Sequence, residues 1–589
     1  MFAMKKSNLF LMVTILLLIG VIWNRLTNKH FTVDPAASTV KASVAAPLDV
    51  SFIKCQIKRA FDFTEKDPSE PIAPLFDNLG DHHFEITTSS EKTQVYFDQG
   101  IRLLYAFNHA EAHRSFREAA RLDPECAMAY WGQAISLGPN INDPLPDAER
   151  TTKAFEAAGK ARNLTSGASK REKALIEALQ SRQLQDAEAD RQELNVAYRQ
   201  AMAPVAAKFS DDAEVQTLYA ASIMNTMPWN YWNNQGEPNS GTLNAKTSLE
   251  KAMELNPNHA GAHHYYIHLV ELPQPDLAEA SADLLGALMP GAGHLVHMPS
   301  HIYIRIGRYK DARISNVKAI EADEDYISQC LAQGMYPLAY YPHNIHFLWS
   351  AASMEGNSRI ALEAAHKTAS RVPRDQVKEM PFMEDFLSVP LLALVRFGAW
   401  NEILSTPRPE NEHKHVRLIW HYARGLAFVA KGEIAQAREE LEALQELAKD
   451  PALETLLANY MNPSSLVILV AIHVLSGEMA AAQGQMAKAV GLLEKGVEYE
   501  EQLIYSEPPA WHIPVRHNLG AVLLQSGQAG EAQLIYEADL KVNRENGWSL
   551  FGLYQSHLMQ SNRQKAMEYQ KRFNKAWAEA DVAITASRF

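Results

Sequence analysis

Small and aromatic residues recur along this chain at fixed intervals, and that recurrence restricts the fold more than any other feature. Gly100, Ala112, Phe116, Ala119 and Pro124 are separated by 12, 4, 3 and 5 residues. The spacing returns at Gly425, Ala437, Leu441 and Leu444, at Gly477, Ala489 and Leu493, and at Gly520, Ala532 and Tyr536. Partial copies are Ala245, Leu249, Ala252 and Pro257, then Tyr303, Gly307 and Ala312, then Gly356 and Ala361, with Trp548, Phe551 and Gly552 opening a last unit. A unit of this length cannot bury its apolar face alone and must stack on its neighbours. Within the units apolar residues fall three and four apart, as in Leu441, Leu444 and Leu447, whereas alternating β-branched runs between turn pairs do not recur. The expected class is all-α.

These intervals resemble the tetratricopeptide repeat over most of residues 93–577. The resemblance implies a right-handed α-solenoid of helical hairpins, in which small residues let two helices approach, the aromatic fills the space between repeats and the proline ends the second helix. Proline- and asparagine-rich breaks at 138–146, 229–238 and 273–275 predict loops inserted into the array. Residues 151–226 are helical in pattern but match the repeat poorly. The expected divisions are an N-terminal extension at 51–92 packing on the solenoid, a helical region at 93–245, central histidine-rich repeats at 246–370 and C-terminal repeats at 371–589.

Ahead of these, Lys5 and Lys6 precede an apolar run from Leu9 to Trp23. That pattern marks a targeting segment, and Trp23, Asn24 and Arg25 stand where a small-residue cleavage motif would lie. Residues 1–30 are therefore expected to be an uncleaved signal-anchor helix, and residues 31–50, with Pro35 and Pro47, a flexible tether. This places the folded part in the cell envelope, outside the cytoplasm and anchored to the inner membrane, with a cleaved secreted form as the alternative. The net charge of -13 offers no basic stripe for phosphate neutralisation, which argues against nucleic acid as a partner. Three scattered cysteines, Cys55, Cys126 and Cys330, make neither a disulfide framework nor a thiolate metal motif.

The chemistry-bearing feature is histidine. Of the 22 in the chain, eleven fall in four windows, at 259–268, 294–301, 343–346 and 512–517. His264 and His268 are four apart, His297 and His301 four apart, and His343 and His346 three apart, so each pair shares a helix face. Pro299, Pro342 and Pro514 beside them predict helix starts, because proline is tolerated only in a helix's first turn. Helix N-termini disfavour the imidazolium and keep the ring fit to coordinate. The repeat resemblance implies that His263, His294, His297, His301, His343, His346 and His517 lie on first-helix positions lining a concave groove. His264 and His268 fall one step round the helix from that stripe, and Glu271 follows on their face as a candidate ligand, base or orienting group. The candidate metal ligands are His263, His264, His268, His294, His297, His301, His343, His346, His512 and His517, with Glu271, His82 and His83 as further candidates.

Other residues are assigned plainer roles. His109 and His113 are expected in surface or packing positions, and His366, His413, His415 and His557 at the surface. Tyr265, Tyr266, Tyr303, Tyr340 and Tyr341 supply possible aromatic walls, and residues 229–232 a possible lid. Imidazole-rich ligation without thiolate suits copper or iron, with zinc possible. No GxSxG elbow, phosphate-binding glycine loop or HExxH signature competes. Two functions fit: an anchored metalloprotein that handles the metal or acts as a metal-dependent oxidoreductase on a small molecule or peptide in the groove, or a metal-free scaffold that binds a partner protein's peptide.

Overall fold

The computed structural model describes residues 61, 63, 70–233, 235–330, 340–374, 377, 378, 380–511 and 513–589. The expected signal-anchor, the tether and His512 lie outside the described residues.

The chain folds as an array of antiparallel helical hairpins in the tetratricopeptide-like form that the spacing predicts. Consecutive helices pair: Glu91–Tyr105 with His109–Leu122, Thr242–Leu255 with Ala213–Met224, Tyr341–Glu355 with Ser358–Ser370, and Ser464–Ala482 with Met486–Glu500. The pattern continues through Val515–Gln525 with Ala529–Val542 and Gly547–Met559 with Arg563–Ala576. Polar N-caps start many of these helices, among them Asn108, Asp212, Asn357 and Asn546, each accepting a backbone N–H from the first turn. Among the described residues the only paired strands are Leu457–Ala458 and Asn462–Pro463, two residues each.

The repeat positions show why the intervals are fixed. Phe116 is fully buried, and its ring fills the space left by Gly100 on one side and Gly132 on the other. A Cβ on Gly132 would lie 2.3 Å from that ring. Tyr536 sits in the same way between Gly520 and Gly552. Alanine at position 132 would gain helix propensity of about 1 kcal/mol. Forcing the ring aside costs typically 1–3 kcal/mol. Gly132→Ala is therefore expected to destabilise by a net of up to about 2 kcal/mol in urea unfolding, against the usual benefit of removing a helical glycine.

Two apolar cores divide the array. The larger runs from Ala73 to Ala312 and takes in Ala351, the other runs from Ile320 to Leu553, and two small clusters, one around Phe386 and one around Leu137, stand beside them. Residues 70–90 carry no helix and lie along the first hairpins, where Phe84 is buried against Phe97 and Trp131 and the Phe84 N–H donates to Asp98. Ser464–Ala482 is the one described helix long and apolar enough to cross a membrane, and 61% of it is buried among its neighbours, as a core helix would be. At the other end, the chain after Ala576 turns back over the last hairpins. Asp581 accepts the N–H groups of Ser358 and Arg359, and Arg588 pairs with Glu478 at 2.7 Å.

Candidate metal centre

Six imidazoles meet where the two cores adjoin. Ala260–Val270 carries His264 and His268, Gly293–His297 carries His294 and His297, Pro299–Ile306 carries His301, and Tyr341–Glu355 carries His343. Pro299 and Pro342 stand in the first turns of their helices, as the sequence predicts. Ring centroids are 4.9 Å apart for His264–His268 and for His264–His294, and 4.8 Å for His297–His301 and for His297–His343. His294–His297 at 6.1 Å and His268–His301 at 6.0 Å join the two groups. All but half-buried His343 are buried.

The outer ring nitrogens decide where the inner lone pairs point. Nδ1 of His264 faces the backbone carbonyl of Tyr105 at 2.6 Å and so donates. Nδ1 of His297 faces Oδ1 of Asn316 at 2.7 Å, and Asn316 is held in that orientation because its Nδ2 donates to the Ala312 carbonyl. Nδ1 of His301 faces the Glu507 carboxylate at 2.6 Å. A neutral imidazole has one N–H, so His264 and His297 present Nε2 as a bare acceptor, and His301 does so in its neutral form. His264 Nε2 is buried without a hydrogen-bond partner. His297 Nε2 and His301 Nε2 face each other at 2.9 Å. Two lone pairs at that distance repel unless a cation lies between them, either a proton or a metal ion. Metal–nitrogen bonds of about 2.0–2.1 Å would close on both at an angle of roughly 90°.

Burial pushes His264, His268, His294, His297 and His343 well below the ordinary imidazole range, and neighbouring imidazoles add to the effect. These rings are neutral and need no deprotonation to coordinate. In His301, burial is outweighed by Glu271 and Glu507, which raise it. Glu271 lies 3.5 Å from His268 Nδ1 and 3.6 Å from His301 Nδ1. Burial, partly offset by His301, pushes its carboxyl up to about 8. Of the three roles open to Glu271, this position on the Nδ1 side favours orienting the ligands.

Aromatic rings close the cluster. Phe107 lies 4.4 Å from His264 and 5.6 Å from His294, Trp229 4.9 Å from His268, and Phe347 4.9 Å from both His297 and His301. Phe107 and Trp229 adopt φ values of 56° and 61°, in the left-handed region that bulky residues seldom occupy. Such strain tends to gather at functional sites. Trp229 Nε1 donates to the Ile141 carbonyl, so one inserted loop holds the other over the histidines. Tyr340 lies 4.7 Å from His294, and Tyr265 packs on Phe107. Tyr266, Tyr303 and Tyr341 instead donate to Glu250, Asp283 and Glu324.

Several expected ligands lie elsewhere. His263 faces the Ser281 hydroxyl with Nδ1 and the Pro257 carbonyl with Nε2, leaving no nitrogen for a metal. His517 accepts from Arg396 at Nδ1 and donates to Asp539 from Nε2. His346 stacks on Trp349 and meets the edge of Phe386, outside both three-histidine groups. The groove stripe inferred from the repeat register is thus off by one position in the Ala260–Val270 helix: the neighbouring His264 and His268 join the cluster.

His82 joins a separate buried group with Glu214 and His259. His259 Nδ1 accepts the Ala262 N–H as a helix cap, so its Nε2 carries hydrogen toward Glu214 at 3.2 Å and cannot also bind a metal. Against the effect of burial, His259 and His82 hold the Glu214 carboxyl well below the usual range. This group is an ion-pair anchor for the N-terminal extension. His83 is largely exposed and pairs with Asp98 at 2.8 Å. His109 and His113 are buried, and burial takes both down to about 3, which makes them packing residues. His415 and His557 are also buried rather than at the surface, His415 between Ser464 and Asp385.

The supporting residues Asn316, Glu507, Tyr105 and Phe107 carry no motif in the sequence. The i,i+4 pairs were the only signal near them.

No protein-family profile matches the chain, and no curated protein matches it. Solved structures with similar folds include a human IFIT1 dimer with m7Gppp-AAAA, 12% identical with a TM-score of 0.30, covering 83% of this chain and 96% of that one. Yeast Tom70 is 12% identical with a TM-score of 0.24, covering 84% and 91%. Cut9 in the APC/C Cut9–Hcn1 hetero-tetramer is 12% identical with a TM-score of 0.27, covering 82% and 73%. Likeness at this level carries no information about ligand or partner.

Proposed function

We propose that this protein binds a transition metal through the buried histidine cluster at the junction of its two cores. The observation that carries the reading is the facing pair His297 Nε2 and His301 Nε2, 2.9 Å apart, each with Nδ1 held by an acceptor. Metal-ligating histidines are characteristically held this way, the outer nitrogen donating to a carbonyl or carboxylate.

The donor set is neutral imidazole, with carboxylates behind it, and favours copper or iron, with zinc as the further candidate. The described thiol, Cys126, is buried in the first core, and burial pushes it up to about 11. What the chain's own residues do is set ligand orientation, exclude water with Phe107, Trp229 and Phe347, and keep five of the six rings unprotonated. Such a centre serves metal handling or redox chemistry on a small molecule, and the leader supports a place in the cell envelope.

The full chain, expressed with its own leader and dialysed against metal-free buffer, should retain copper, iron or zinc in elemental analysis. Retention of none, together with failure to bind any of the three on titration, would leave a metal-free scaffold as the better description.

A further inference from the structure

We infer that the cluster is a dinuclear centre, with one ion held by His264, His268 and His294 and a second by His297, His301 and His343. The inference rests on the metal-binding reading above and adds the number and arrangement of the ions.

Three observations separate two sites from one. In each set of three, one ligand nitrogen from each ring lies within 4.8 Å of those from the other two, whereas no larger set meets that condition among the described residues. Six imidazoles also exceed what one open site uses, since three protein ligands leave a position for water or substrate. Finally, the two sets touch. Two residues three apart in one short helix, His294 and His297, belong to different sets with rings 6.1 Å apart, and His268 and His301 close the second edge at 6.0 Å.

Glu271 spans that boundary, with one carboxyl oxygen 3.5 Å from a ring of the first set and 3.6 Å from a ring of the second. It is a positioning residue for both halves. The halves are not equivalent: Asn316 and Glu507 stand behind the second, and the Tyr105 carbonyl behind the first. A carboxylate behind a ligating imidazole raises its basicity, so the second ion would sit in the more electron-rich site. Two adjacent ions with open positions can share one small ligand between them, the arrangement used where a bridging molecule must be bound by both.

Saturating the full chain with copper(II), and separately with iron(II) and zinc(II), followed by elemental analysis after removal of excess, tests this directly. Two ions per chain for at least one metal are expected. Saturation at one would overturn the dinuclear centre while leaving metal binding intact, and saturation at none would overturn both. With copper(II), two neighbouring ions couple magnetically, so the electron paramagnetic resonance signal should be broadened or diminished relative to that of isolated ions. His264→Ala with His268→Ala should leave one ion and restore the signal of an isolated ion. An uncoupled signal from two bound coppers in the native chain would show that they are not neighbours.

Discussion

Replacing one ligand in each three-histidine set, His264→Ala with His297→Ala, is expected to lower retained metal to less than about a tenth. Loss of a partner that merely orients a ligand typically costs 10–100-fold in affinity, and loss of the ligand itself should cost at least as much. The double variant removes the two neutral rings whose Nε2 is left bare by an outer acceptor, so it weakens either half whatever the number of ions. Far-UV circular dichroism should change little, because the four helices involved are held by apolar packing on both sides of the cluster. His346→Ala and His517→Ala serve as matched controls, being buried histidines outside both sets. Equal metal loss in controls and double variant would point to general loosening, and no loss in the double variant would place the ion elsewhere.

A second large effect is expected outside the histidine cluster, at Asp539. This carboxylate is buried and accepts from His517, Ser549, Asn546 and Asn543, while Arg396, fully buried over the Trp548 ring, lies behind His517. Although burial works against it, these partners hold Asp539 down to about 2. Removing one partner of a buried charge network typically costs about 3–5 kcal/mol. Asp539→Ala should lose that much in urea unfolding followed by tryptophan fluorescence. The acid dependence has a definite sign. A depressed carboxyl stabilises the fold above its unfolded value near 4 and loses that contribution as pH falls toward about 2. The native chain should lose on the order of 2–3 kcal/mol in that window, and Asp539→Ala should lose correspondingly less. Parallel acid curves for the two proteins would remove Asp539 as the cause.

The sequence made the hairpins readable because the repeat positions are steric: only glycine fits beside Phe116 at positions 100 and 132, and that requirement survives in the intervals. It made the pairs His264–His268 and His297–His301 readable for the same kind of reason, since four residues bring a helix back to one face. The choice between His263 and His264 was not readable. One residue rotates the side chain by about 100°, so a phase error of one position sends a ring from the cluster to the Pro257 carbonyl. Glu507 reaches His301 across 206 residues and Tyr105 reaches His264 across 159, separations at which periodicity carries no signal. The burial of His415 follows similarly from Asp385 and Ser464 on other helices.

The seam between the two cores gives any bound ion a mechanical role. His301 belongs to the first half and leans on Glu507 of the second, while His343 enters from Tyr341–Glu355, a helix that contributes to both cores. An ion joining them would act as a rivet through a bending rod. Flexing the array would stretch the bonds to the ion, and loading the ion would stiffen the array. Uptake, release and curvature would then vary together, so whatever grips the two ends of this protein would also have a hand on its metal.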